Sequence, residues 1–257
     1  TLLLLGGFTR YSSTVWQTYD GIVQASAAKA PTSARAQTQY AVLLFNANYH
    51  DEGMRVLDDA IANIPGDNPL LLATRLIAMC NLKTLEPAEL DRVAAILSGL
   101  KFDARMLRVY NNFAKAVVTN TCPKIPLRSI LPMFTRMLDV PENANPTSIE
   151  YTHIKFLIGY VRLYLGEIDG AMAEFKDSLA ARPGASYAMA MAALFATSGF
   201  PEEALHLSDI ALTQLDTENN TTLIGRRANE ADIREFQVTV RAELDAQRDA
   251  GNAPPGD

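Results

Sequence analysis

SIEYTHIKFLIGYVRLYLGEIDGAMAEFKDSLAARP, from Ser148 to Pro183, decides the fold. Ser148 is a residue type that caps helix N-termini, and Tyr151 stands where a capping box would carry Glu or Gln, so the spacing predicts the cap without the box. Apolar residues recur at Ile154, Ile158, Val161 and Leu165 with a helical period and stop at Gly166, the residue type best suited to end a helix. A second helix begins near Asp169, buries Ala171, Met172, Phe175 and Leu179, and cannot continue through Pro183. With only a short turn between them, the two helices must run antiparallel. Gly159 and Ala171 mark where their axes approach. A glycine inside a helix costs about 1 kcal/mol relative to alanine, so a close crossing is the expected reason for Gly159.

Gly159, Gly166, Ala171, Phe175 and Pro183 fall at positions that resemble the tetratricopeptide repeat, a 34-residue helix-turn-helix unit. Pro31 and Pro65 stand 34 positions apart. Between them Thr32 or Ser33 caps a first helix, Tyr40 and Ala41 form a large-small pair, Tyr49 and Gly53 flank a turn, and Leu57 and Ala60 face inward. Gly53 departs from the alanine usual in the family. Asn68-Pro69 opens a third unit, with Leu71, Ile77 and Cys80 on its periodic face, and the period breaks after Leu82. From Lys83 to Asn145 three helical patterns follow at a pitch of their own: Ala88 to Leu100, Asp103 to Thr119 and Pro126 to Val140. Pro132 is expected to kink or restart the third. The linker PENANP (141–146) is an internal boundary. Beyond Pro183 come Ser186 to Ser198 and Pro201 to Leu215, with Gly199 at the turn and Ala204, Ser208 and Ala211 inside. The last helix, Asn229 to Arg248, carries Ile233, Phe236, Val240 and Leu244 on one side and polar residues on the other, as the end of a repeat array requires. The expected fold is therefore all-α, a right-handed superhelix (α-solenoid) of antiparallel helix pairs. It divides into a stub and first helix (1–30), repeat-like and divergent pairs (31–145), repeat pairs (146–216), a capping helix (217–250) and a disordered tail (251–257).

The chain of 257 residues is 48% hydrophobic, enough for a continuous core, and no alternating strand pattern interrupts the helical period. A net charge of −6 without a cluster of Lys and Arg excludes a nucleic-acid surface, since phosphates must be neutralised by clustered cations. Arg226-Arg227 reads as a solvated helix start. Cys80 and Cys122 lack metal-ligand spacing. They form one bridge in an oxidising compartment, or remain a buried thiol and a loop thiol. His50, His153 and His206 fall in separate units with no second ligand at helical spacing, so no metal site is expected. Acidic pairs such as Asp58-Asp59 and Glu202-Glu203 belong to solvent faces, and no phosphate-binding, dinucleotide or nucleophile motif is present. The chain reads as noncatalytic, with no cofactor. Asn219 and Asn220 begin glycosylation sequons, relevant only in a eukaryotic secretory route.

Binding remains. In tetratricopeptide arrays the first helix of each pair lines a concave groove for a protein or peptide. Carried onto this sequence, the resemblance places Arg35, Gln39, Val42 and Asn46 there, then Phe156, Tyr160, Leu163 and Tyr164, then Tyr187 and Leu194. The aromatic members either contact a partner or pack internally. The opening TLLLLGG is too short to cross a bilayer and is either the end of a preceding membrane segment or a buried turn. Phe8 to Ala30, with Tyr11, Val15, Trp16, Tyr19, Ile22 and Val23 on one face, follows it. That order, up to the Pro31-Thr32-Ser33-Ala34 junction, is similar to the C-terminal extramembrane region of bacterial oligosaccharyltransferases and O-antigen ligases. The resemblance implies attachment to the periplasmic side of the inner membrane through a segment preceding Thr1, with a cytoplasmic location as the alternative. Two readings follow: a membrane-tethered adaptor, or an accessory domain of a membrane glycosyltransferase.

Overall fold

The computed structural model describes residues 18–218 and 228–251, and every regular element among them is helical. The stub with Tyr11, Val15 and Trp16, the sequons at Asn219 and Asn220, Arg226-Arg227 and residues 252–257 lie outside the described residues. The chain divides between Met133 and Phe134 into two compact units.

The first unit holds α1 (Tyr19–Lys29), α2 (Ala34–Asn46), α3 (His50–Asn63), α4 (Pro69–Asn81), α5 (Pro87–Ser98) and α6 (Leu107–Val118). Side chains cap the starts of α1, α2 and α4. Thr18 Oγ1 accepts from Gly21 N–H at 3.1 Å, Ser33 Oγ from Ala36 N–H at 3.3 Å, and Asn68 Oδ1 from Leu70 N–H at 3.1 Å. Of the two caps offered by the sequence for α2, Ser33 is the one used. Ala41, Leu57, Ala60, Leu71 and Ala78 form a core shared by α2, α3 and α4. Asp103 Oδ1 accepts from Arg105 N–H at 2.9 Å and opens a 3₁₀ turn, Ala104–Met106, that leads into α6. A second 3₁₀ turn, Leu127–Ile130, leads into α7 (Leu131–Met137), which crosses the division between the units. Pro132 is the second residue of α7, where its missing N–H has no intrahelical role, so it restarts the helix and does not kink one.

Arg75 ties three helices of this unit together. From α4 its Nε reaches Asp58 Oδ1 on α3 at 2.6 Å and its Nη1 reaches Glu89 Oε1 on α5 at 2.5 Å. Cys80 in the last turn of α4 is bonded to Cys122 in the loop after α6, across 42 positions, and both are buried. Of the two states open to these cysteines, the bridge is the one formed. Lys124 of the same loop pairs with Glu86 at the start of α5.

The second unit holds α8 (Ile149–Tyr164), α9 (Ile168–Ala181), α10 (Ala185–Thr197), α11 (Pro201–Glu218) and α12 (Glu230–Gly251). Ser148 Oγ accepts from Tyr151 N–H at 3.0 Å, the expected cap. A β-carbon on Gly159 would stand 2.7 Å from the Phe175 ring and 3.3 Å from Ala171 O, so the absence of a side chain at this point of α8 is what seats α9. Phe175 meets Phe195 of α10 edge-on at 5.7 Å, an arrangement that the ring quadrupoles favour. Ala204, Ser208 and Ala211 of α11 are fully buried, and Ile233 and Val240 of α12 close the core. Gln237 is buried on the same side of α12, donating to Ser208 Oγ at 3.0 Å and Asp209 Oδ1 at 2.8 Å. The PENANP segment is turn, as composed, yet its Asn143 is fully buried and donates to Met137 O at 2.8 Å, closing α7.

One turn recurs through both units. After α2, α4, α6, α8 and α10 a single residue takes the left-handed conformation: Asn48, Lys83, Asn120, Gly166 and Gly199. The next N–H then bonds five residues back, Tyr49 to Leu44 O, Thr84 to Met79 O, Thr121 to Ala116 O, Glu167 to Arg162 O and Phe200 to Phe195 O, at 2.8–3.0 Å. This is the Schellman closure of a helix C-terminus. The stretch after Lys83, whose pitch departs from the repeat, therefore ends α6 with the same turn as the regular pairs.

Candidate functional site: the exposed faces of the first helices

Helix α2 buries Ala36, Thr38 and Ala41. Its opposite side presents Arg35, Gln39, Val42 and Asn46, spaced four, three and four apart and so aligned on one stripe, and all four are exposed. Val42 is 42% exposed at the centre of the stripe. No hydrogen bond or ion pair among the described residues uses the guanidinium of Arg35 or the amides of Gln39 and Asn46.

The corresponding side of α8 differs. Phe156, Tyr160 and Tyr164 do form one column, with centroids 6.5 Å and 5.0 Å apart. Only the last ring emerges: Tyr164 is 39% exposed, Tyr160 6% and Leu163 2%. Phe156 is half-buried, packed against Phe175 at 5.6 Å and Tyr187 of α10 at 5.7 Å. Leu194 is half-buried against the core. The expected aromatic groove wall is thus internal packing up to Tyr160, and Tyr160 and Leu163 have no surface to offer a partner. The reason is that α8 has neighbours on more than one side, whereas a helical stripe in sequence marks only one. Burial, and then the nearby Tyr164, push the Tyr160 hydroxyl well above the ordinary tyrosine value. Burial does the same to Tyr187, against the hydrogen bond it shares with Ser178 at 3.2 Å.

The charges beside this column serve the fold. Lys155 reaches Glu174 at 2.7 Å and Asp177 at 2.9 Å, and Arg162 reaches Glu167 at 3.0 Å and Glu174 at 3.5 Å. Burial works against the Lys155 ammonium, but its hydrogen bonds to the two carboxylates outweigh that and hold its pKa above the lysine value. His153 is pushed below the usual histidine value by burial and then by Arg182. Asp58 of the Asp58-Asp59 pair serves Arg75, and His50 lies against the Phe45 ring at 6.4 Å. Among the described residues no group of three His, Cys, Asp or Glu is placed to hold a metal ion.

A feature that the sequence did not mark lies between α10 and α12. There Ser186 and Met189 face Asp232, Ile233, Glu235, Phe236 and Thr239 across an open cleft of about 590 Å³. The only sequence signal was the amphipathic pattern of α12, which gives its buried stripe and not the neighbour of its flank.

No protein-family model matches the chain, and no curated protein matches it either. Among solved structures it is similar to the TPR protein TTC0263 of Thermus thermophilus, at 19% identity over 82% of this chain and 100% of that one, with a TM-score of 0.42. MamA is similar at 15% identity over 70% of this chain and 97% of that one, with a TM-score of 0.40. YrrB, described as a TPR protein with an unusual peptide-binding site, is similar at 17% identity over 74% of this chain and 91% of that one, with a TM-score of 0.36. The packing of the described residues is all-α and built of antiparallel helix pairs.

Proposed function

We propose that this chain is a noncatalytic helical-repeat module that binds a protein or peptide through the exposed faces of its first helices. The observation that carries the reading is the α2 stripe. Arg35, Gln39, Val42 and Asn46 offer one cation, two amides and an apolar centre on a single face, and no group among the described residues uses their polar atoms. Tyr164 supplies a second exposed contact in the other unit. The bridged Cys80 and Cys122 favour an oxidising compartment, for which we propose the periplasmic side of a bacterial inner membrane. No helix among the described residues is long and apolar enough to cross a membrane, and the tether in this reading is a segment preceding Thr1.

Site-specific photo-crosslinking in cells tests the proposal. A crosslinker at Val42 should give a discrete adduct, and one at Thr213, an exposed position of α11, should give none. Arg35→Glu should abolish the Val42 adduct while shifting stability by no more than about 0.5 kcal/mol, as at other exposed sites. Equal labelling from Val42 and Thr213, or none from Val42, refutes the assignment.

A further inference from the structure

From Ala104 to Met133, where the first unit ends, the sequence holds five Lys or Arg and no Asp or Glu, although the chain carries a net charge of −6. Three of these cations are engaged: Arg105 by Asp103 at 2.6 Å, Lys124 by Glu86, and Arg128, which also has a partner. The other two, Arg108 and Lys115, belong to α6. That helix buries Tyr110, Phe113, Ala114 and Val117, and its opposite side carries Arg108, Asn112 and Lys115, spaced four and three apart and all exposed. No hydrogen bond or ion pair among the described residues uses the guanidinium of Arg108, the amide of Asn112 or the ammonium of Lys115. Outside the described residues the sequence holds a single acid, Asp257, so no more than one carboxylate can reach the stripe from there. Arg55 and Arg92, by contrast, are matched within their own helices, by Glu52 at 2.5 Å and Glu89 at 2.8 Å. The stripe also sits on a fixed element. Near its start Tyr110 stacks on Phe102 at 5.4 Å, and the loop after it is bonded through Cys122 to α4, so its charges are presented without the ordering cost of a flexible loop.

We propose that the exposed side of α6 docks an extended acidic peptide segment carrying two Asp or Glu three positions apart. The proposal rests on the binding-module reading and adds a second contact of stated chemistry. Arg108 and Lys115 lie two helical turns apart, about 10 Å along α6, and an extended chain advances about 10 Å in three residues. One carboxylate would meet the Arg108 guanidinium through two parallel N–H bonds, the other the Lys115 ammonium, and Asn112 supplies a donor between them. Charge complementarity selects this occupant, because a basic segment would add like charge to a stripe with no carboxylate of its own. Two cations so far apart are too few for a phosphate backbone, and the apolar side chains that would enter a lipid surface are on the buried side of α6.

Amide chemical-shift mapping on the full chain decides it. The probe is a short Gly-Ser peptide carrying two Glu three positions apart, compared with the same peptide carrying Gln in their place. Saturable shifts confined to α6 and its flanking turns are expected for the Glu peptide alone, weakening as salt is raised. Arg108→Glu and Lys115→Glu should each lower the affinity about fivefold or more. Lys176→Glu changes the net charge equally, at an exposed position of α9 in the other unit, and should leave the affinity within about twofold. Absence of saturable shifts, an equal response to the Gln peptide, or equal effects of Arg108→Glu and Lys176→Glu overturns the proposal. Self-association of the chain alone that Arg108→Glu abolishes would make a second copy the occupant and overturn it too, as would binding to phosphatidylglycerol vesicles with no response to the peptide. The Val42 crosslink separates the two failures, because an adduct that persists when the Glu peptide does not bind leaves the module standing and removes only this contact.

Discussion

The two units close their first helices with the same turn but by different means. In the second unit the left-handed residue is glycine, at Gly166 and Gly199, which reaches that conformation without a β-carbon in the way. In the first unit the position is held by Asn48, Lys83 and Asn120. Asparagine tolerates the left-handed region, whereas lysine occupies it at a cost of about 1 kcal/mol or more. The unit with the strained turn is also the unit with the disulfide, and the bridge joins two of those turns, since Cys80 precedes Lys83 and Cys122 follows Asn120. Regular turns and aromatic packing hold one unit; a covalent link and the Arg75 hub hold the other.

Reduction should make that contrast visible. Cys80→Ser with Cys122→Ser, or a reductant strong enough to reach the buried bridge, removes a link closing a loop of 42 positions and should destabilise the first unit by about 2–4 kcal/mol. Hydrogen exchange read peptide by peptide should show faster exchange in α4 to α6 and little change in α8 to α10. Equal acceleration in both would mean that they unfold as one body.

The glycine seats give a smaller effect with a sharper comparison. In the α2–α3 pair the roles are exchanged relative to α8–α9: the glycine is Gly53 on the second helix, and the ring over it is Phe45 from the first, 2.7 Å from where a β-carbon would stand. Phe175 is fully buried and cannot move aside, whereas Phe45 is half-buried and can swing toward solvent. Gly159→Ala should therefore cost about 1–3 kcal/mol by overpacking, and Gly53→Ala should be near neutral, because alanine regains about 1 kcal/mol of helix propensity. Denaturant midpoints of the two variants check this, and equal shifts would refute the distinction between a fixed and a yielding ring.

The smallest effect is an exchange of turn residues. Lys83→Gly should raise stability by up to about 1 kcal/mol, and Gly166→Ala should lower it by about the same amount, since open space surrounds Gly166 and only its backbone angle is at issue. Thermal melts of the two variants read the pair of shifts. If Lys83→Gly destabilises the chain, the lysine side chain has a role beyond its conformation.

Much of the architecture was readable because helix starts are local. Ser33, Asn68 and Ser148 each cap the helix that follows, Asp103 caps the 3₁₀ turn before α6, and Gly166 ends α8 with a single residue. The closures at Lys83 and Asn120 were not readable, because neither residue advertises a left-handed angle and the helices after them depart from the repeat pitch. The site divided in the same way. The α2 stripe could be read from periodicity, since α2 leaves one face open. Tyr160 and Leu163 could not, because a stripe in sequence says which residues share a face and not how many neighbours that helix has. Gln237 and Asn143 are buried polar groups, whose partners at Ser208, Asp209 and Met137 no local pattern supplies.

The bridge also fixes an order of events. On a chain made from its N-terminus, Cys80 appears 42 residues before Cys122, a wait of about 2–8 s at roughly 5–20 residues per second. During that interval Cys80 is a thiol whose partner does not yet exist. These 257 residues contain two cysteines, so no wrong bridge can form among them, and every mispairing must involve a thiol outside them. Errors in oxidation would therefore appear as bonds from Cys80 or Cys122 to a thiol outside this stretch, covalent dimers and mixed disulfides among them.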